Sequence, residues 1–152
     1  MRSFLFALAL VALAVAGYIG ARLWQSAPAA QLLNNDGVSC NIGDAACRHA
    51  TPDGGMLLLD MSPRPVPLMQ PVGISVQVAN TSLVPAYVEI TGLNMEMGVN
   101  RVPLRRNAEG AWVGETIIPV CSQRHMQWQA ALFLQSAGKL YRLNEEFDTL
   151  RP

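Results

Sequence analysis

Apolar and polar positions divide the chain into three regimes. From Phe4 to Ala21 every residue is apolar or small, with Arg2 ahead of the run and Arg22 and Trp24 behind it. A run of this length reaches the lower limit for a membrane-spanning helix. It exceeds the usual apolar core of a cleaved signal peptide. Arg22 and Trp24 suit the membrane–water interface. Residues 1–24 are therefore expected to form a membrane anchor with its N-terminus inside. The alternative is a cleaved signal peptide, for which Ala27-Pro28-Ala29 offers small residues at a cutting site. Either reading exports the rest of the chain to the bacterial periplasm.

Residues 25–55 lose the apolar pattern and gather turn formers. These are Ser26-Ala27-Pro28, Asn34-Asn35-Asp36-Gly37 and Thr51-Pro52-Asp53-Gly54-Gly55. The segment reads as linker and loops.

Beyond Gly55 the period becomes two. Val72, Ile74, Val76 and Val78 alternate with Gly73, Ser75 and Gln77, and Val88 and Ile90 repeat the pattern. Met56–Met61, Arg101–Arg106, Ala111–Ile118, Met126–Gln135 and Lys139–Phe147 are further short runs. Asn107-Ala108-Glu109-Gly110 reads as a hairpin turn, and Pro63, Pro65, Pro67 and Pro71 forbid a helix between the first two runs. About seven short strands with close turn signals predict an all-β, immunoglobulin-like β-sandwich over residues 56–152.

Composition narrows the function. The 152 residues carry no formal net charge, and only 14% are charged. There is no basic run, so nucleic acid, which needs many phosphate contacts, is not an expected partner. One lysine and two histidines leave little general acid–base machinery, and no phosphate loop or paired Cys-x-x-Cys is present. The chain does not read as an enzyme.

The three cysteines add a redox constraint. Cys40 and Cys47 lie close together in a Gly/Asn/Asp-rich stretch. In an oxidising compartment a local disulfide between them is the economical pairing. It leaves Cys121 free, either as a small buried hydrophobe or as a thiolate ligand. Pairing of Cys121 with Cys40 or with Cys47 stays open on the sequence.

The candidate chemistry lies between residues 95 and 128. In Met95-Glu96-Met97 the two thioethers face one side of an extended chain. Cys121 follows Pro119-Val120, and His125-Met126-Gln127-Trp128 puts Met126 and Trp128 on one face if a strand starts there. Taken singly, the methionines read as core filler, Trp128 as sheet packing and His125 as a surface residue. Together, thiolate and thioethers are soft donors that select Cu(I). Met95, Met97, Cys121 and Met126 are the expected metal ligands, with His125 as a possible ligand and Trp128 as a possible lid. Met56 and Met61 are expected in the core, and Met69 on a rim.

These elements resemble a known pattern. A membrane helix, a short sandwich, Met95-Glu96-Met97-Gly98, Gly110-Ala111-Trp112 and Met126-Gln127-Trp128 are similar to the FixH-like and YtkA-like exported domains. The resemblance covers roughly residues 56–147 and, loosely, the leader. It implies an immunoglobulin-like fold and copper handling, including assembly of haem–copper oxidases. Two departures stand out: Val99-Asn100 occupies the place where that pattern often has a histidine, and Cys121 is not part of it. The expectation is a membrane-anchored, periplasmic Cu(I) chaperone or buffer that works by ligand exchange with a copper-donating or copper-accepting protein. The alternative is a metal-free periplasmic interaction or assembly module.

Overall fold

The structure is a computed structural model that describes residues 2–25, 29–33 and 40–151. Ala27-Pro28 of the cutting site and the turn Asn34-Asn35-Asp36-Gly37 lie outside the described residues.

Helix α1 spans Arg2–Gln25. Its side chains are described from Leu10 to Arg22, and Leu10, Val11, Leu13, Val15, Tyr18 and Ile19 are all exposed. Arg22 folds back one turn, its Nε donating to the Tyr18 hydroxyl at 3.1 Å. Among the described residues, no helix is long and apolar enough to cross a membrane.

The remainder is built from strands. They are β1 (Gln31–Leu32), β2 (Cys47–Ala50), β3 (Met56–Ser62), β4 (Pro71–Ala79), β5 (Val84–Gly92), β6 (Asn100–Pro103), β7 (Arg105–Arg106), β8 (Trp112–Ile117), β9 (His125–Ser136) and β10 (Lys139–Leu150). One sheet has the order β1-β10-β9-β5-β6 and the other β2-β3-β4-β8-β7. Alternation decides which face turns inward. Leu57, Leu59 and Met61 of β3 are buried, as are Val72, Ile74 and Val76 of β4, Val88 and Ile90 of β5, and Leu132 and Leu134 of β9. These inner faces make one core, so the chain is an all-β sandwich.

The longest hairpin joins β9 to β10 through Ala137 and Gly138, both at positive φ (48° and 74°). Two successive left-handed residues match the twist of the strands they connect.

The strand count exceeds the seven expected, for three local reasons, the first being that Gln31–Leu32, in the segment expected to be linker, pairs with β10 as β1. Arg101–Arg106 is not one strand. It leaves the first sheet after Pro103, Leu104 drops into the core, and Arg105–Arg106 joins the second sheet against β8. Residues 41–50 are also not plain loop. Asn41 bridges Glu146, Ile42 is fully buried, and β2 pairs with β3. Met61 is core as expected, whereas Met56 starts β3 on its outer face and is half exposed.

One end of the sandwich is tied by a single carboxylate. Asp53 accepts from the Thr51 hydroxyl at 2.6 Å, the Ser82 amide at 2.6 Å and the Thr81 hydroxyl at 2.7 Å. These bonds, the one from Thr51 foremost, hold its carboxyl well below the usual carboxylate range.

Candidate functional site

The opposite end collects the sulfur. Strand β3 ends at Ser62 and β4 begins at Pro71, paired with Ile117 at the end of β8. Gly92 ends β5 opposite Trp128, and Leu150 ends β10 opposite His125. Antiparallel pairing therefore brings the connections 63–70, 93–99 and 118–124 to one pole. Met69, Met95, Met97, Cys121, His125 and Met126 all belong to these connections or to the first residues of β9.

Met95 and Met97 are half-buried and pack on the core, while Glu96 between them is exposed. Both methionines thus meet the core from a connection that is not a regular strand. Met126 is the second residue of β9 and only 1% exposed. Gly92 explains how close these residues come. A Cβ there would stand 2.2 Å from the Met95 carbonyl oxygen and 2.4 Å from the Met126 methyl. Only a glycine lets the 93–97 connection and the Met126 thioether press on the same point.

Two further contacts tie the connections together. The Ser122 hydroxyl lies 3.8 Å from the Met95 sulfur. Asn94 bridges across to β9, its amide donating to the His125 carbonyl at 3.0 Å and its oxygen accepting from the Gln127 amide at 3.1 Å. Cys121 is the free thiol among the described residues; it is half-buried against the core and its Sγ lies 3.5 Å from the Gln123 carbonyl. The structure thus gathers Met95, Met97, Cys121 and Met126 at one pole, the thioethers at least partly shielded.

His125 and Trp128 part company from that group. His125 is exposed and its Nε2 lies 3.2 Å from Asp148 Oδ1. It lines an open cleft of about 950 Å³ whose wall also includes Pro67, Met69, Val120 and Leu150. Met69, 63% exposed, therefore sits on a rim as expected, beside the 118–124 connection to which its amide bonds through Ile118. Trp128 is 2% exposed, stacked near Phe147 with centroids 6.2 Å apart, and its indole N–H donates to the Thr149 hydroxyl at 2.9 Å. Its polar edge is already used inside the core, so a movable lid is not the role its position supports.

The disulfide is Cys40–Cys47, with Cα atoms 5.8 Å apart. It closes the side of the sandwich where β2 of one sheet stands near β10 of the other. A disulfide is compatible with an oxidising compartment.

Sequence reasoning missed what lies behind it. Glu145 is 2% exposed and occupies the inward row of β10 between Leu143 and Phe147. His49 Nε2 approaches Glu145 Oε1 at 3.0 Å. The available signal was the period-two pattern of Leu143-x-Glu145-x-Phe147, which turns the carboxylate inward.

Comparison with known families, with curated proteins and with solved structures finds no match to this chain. The functional reading therefore rests on its own residues.

Proposed function

We propose that this chain is an exported Cu(I)-binding protein, a chaperone or buffer that passes copper by ligand exchange and catalyses no reaction. The observation that carries the proposal is the assembly of Met95, Met97, Cys121 and Met126 at one pole of the sandwich, with the Met95 backbone carbonyl and the Met126 thioether methyl both pressed toward Gly92. Three thioethers and one thiol are a soft donor set with no carboxylate among them, which favours Cu(I) over calcium or magnesium. Copper is cargo here, and the half-buried position of three of the four donors leaves them within reach of a partner's thiols. The cleft beside Val120 and His125 borders the 118–124 connection and gives such a partner a place to dock.

The finer parts of the proposal rest on residue patterns. An immunoglobulin-like topology and kinship with the FixH-like and YtkA-like domains are supported by the two-sheet architecture together with Met95-Glu96-Met97-Gly98 and Met126-Gln127-Trp128. A periplasmic location is supported by the disulfide. The membrane tether is supported by the apolar run Phe4–Ala21 and by the exposed apolar side chains of α1, which water does not favour.

A second reading is a metal-free interaction module. It is favoured by the 1% exposure of Met126, which is how a core methionine looks. Competition of the disulfide-intact protein with a chromogenic Cu(I) chelator separates the two. Tight binding of one Cu(I) is expected, weakened strongly in Cys121→Ser and in Met95→Leu. If Cys121→Ser binds like the parent but unfolds more easily, Cys121 is core and the interaction module stands.

A further inference from the structure

A second cluster of donors lies away from the sulfur pole, at the closed side of the sandwich. One ligand atom each from Cys40, Cys47 and Glu145 lies within 4.8 Å of the other two. Cys47 is fully buried, Glu145 is 2% exposed, and Cys40 is half-buried at the outer edge. His49 stands next to this triad on the inward side of β2, two residues after Cys47, with its side chain 9% exposed. Its Nε2 is buried and makes no aligned hydrogen bond, although the Glu145 carboxylate oxygen is 3.0 Å away. The oxygen is close, but it is out of line for a directional hydrogen bond from the ring nitrogen. Buried polar groups nearly always have one, and an unsatisfied ring nitrogen beside a carboxylate and two sulfurs asks for an explanation.

We propose that reduction of the Cys40–Cys47 disulfide opens a binding site for a divalent cation of the zinc class, held by Cys40, Cys47, Glu145 and His49. Two sulfurs, one imidazole nitrogen and one carboxylate oxygen are the donor types that zinc takes in tetrahedral sites. Bond lengths of about 2.3 Å to sulfur, about 2.05 Å to nitrogen and about 2.1 Å to oxygen place neighbouring tetrahedral donors about 3.4 to 3.8 Å apart. The triad lies inside 4.8 Å, and the Nε2–Oε1 contact needs to lengthen by only about 0.4 Å from its 3.0 Å. His49 is not within the triad, so its ring has to turn toward the sulfurs to complete the set.

The redox step balances with an external dithiol as reductant. Two electrons and two protons pass from the dithiol, which becomes a disulfide, and the Cys40–Cys47 bond becomes two thiols. The cation then displaces both thiol protons to solvent, and His49 binds through Nε2 as the tautomer that carries its single ring proton on Nδ1, any further ring proton also leaving to solvent. The sulfurs cannot serve both states at once, so the disulfide and the metal exclude one another. This site shares no residue with the Cu(I) pole and does not rest on that proposal.

The test loads Zn(II) onto the full chain before and after treatment with a dithiol, in a Cys121→Ser background that removes the remaining thiol. Retained zinc is counted after gel filtration, and Co(II) substituted for Zn(II) gives an absorption spectrum that reports tetrahedral geometry and thiolate ligation. One cation per reduced chain and none per oxidised chain is expected. Glu145→Gln and His49→Gln should each weaken binding by at least about 10-fold, the loss expected even for an outer partner of a metal ligand. If reduction loosens the fold, recovery of near-ultraviolet circular dichroism on adding Zn(II) supports the site. Equal retention by oxidised and reduced chains, or a Co(II) spectrum without thiolate bands, overturns it.

Discussion

Replacing Gly92 with alanine separates the metal reading from the core reading at the residue where the two thioether-bearing segments meet. The new methyl would stand 2.2 Å from the Met95 carbonyl oxygen and 2.4 Å from the Met126 methyl. Ordinary contact requires about 3.5–4.0 Å between carbons, so each neighbour must retreat by roughly 1 Å or more. The Met126 methyl is the end of a flexible side chain and can rotate away. The Met95 carbonyl is backbone, so the 93–97 connection must move with it. Overpacking of this kind costs about 1–3 kcal/mol. Loss of glycine's freedom in the unfolded chain returns about 0.4–1 kcal/mol. A net destabilisation of about 1–2 kcal/mol follows, read by urea denaturation as a lower midpoint at unchanged slope. Gly98→Ala is the companion. Gly98 has φ of 72° and open space around its Cα, so that variant strains the backbone locally without entering the Met95–Met126 contact. Cu(I) competition on both variants completes the experiment. Gly92→Ala should lose both stability and copper affinity, and Gly98→Ala mainly stability. If Gly92→Ala is as stable as the parent, the close approach is wrong. If it is destabilised but binds Cu(I) unchanged, Met95 and Met126 are packing residues and not ligands.

Other parts of the fold yield expectations of their own. Peptide mapping after alkylation should find Cys121 labelled and Cys40 and Cys47 protected until reduction. The disulfide closes a short loop, its cysteines seven positions apart, so removing it as Cys40→Ser/Cys47→Ser should cost about 2.5 kcal/mol by the chain-entropy relation. An unchanged denaturation midpoint would contradict that figure. Trp128→Phe removes the donor to the buried Thr149 hydroxyl, and should cost about 1–3 kcal/mol, whereas Trp128→Phe/Thr149→Val should recover part of it. Asp53 is depressed in the folded chain, so its contribution to stability is present above the unfolded carboxylate range and is lost as pH falls below about 4. By carboxylate NMR, Asp53 should titrate well below the usual aspartate range, and Asp53→Asn should flatten the acid limb of the stability profile.

The sequence showed the sheets most clearly where one face is apolar and the other is not. Val72, Ile74 and Val76 are buried as their alternation requires, and Asn107–Gly110 turns the chain as its composition suggests. Other features depend on partners far away in the chain. Cys47-Arg48-His49-Ala50 has no apolar alternation of its own. It becomes a strand because β3 offers it an edge and the disulfide pins its start. Arg101–Arg106 looks continuous, but the turn at Leu104 is set by where its side chain finds core, with its amide bonded to Ala86 of β5. Glu145 breaks the rule that inward positions are apolar, and its partner His49 comes from the other sheet. No local pattern encodes that meeting. At the sulfur pole the residue types were visible, but the close approach of the Met95 backbone to Met126 depends on Gly92, whose neighbours only the folded chain reveals.

The way the four pole donors are mounted bears on how copper would leave. Met126 sits on β9, paired with Thr149 of β10 and just beyond the last β5 pair, Gly92 with Trp128, and it is almost fully buried. Met95, Met97 and Cys121 sit on connections with few ladder bonds and are half-buried. Segments without ladder bonds open at lower free energy than core strands. Exchange would therefore begin at the connections and end at Met126. Cys121 has a particular place in that order. It is the donor that carries charge when deprotonated, and its own carbonyl accepts from Arg151 at 3.4 Å beside the open cleft. On the proposed copper reading, a partner thiolate entering from the cleft would meet the 118–124 connection first, where the Cys121 carbonyl is held by Arg151 and its sulfur only by the Gln123 carbonyl at 3.5 Å. Displacing the thiolate first removes the strongest bond early, and the remaining thioethers are neutral ligands that a second partner thiol can replace one at a time. A site with all four donors on core strands would hold copper as well but release it only with local unfolding. The mixed mounting at this pole suits cargo better than a resident cofactor.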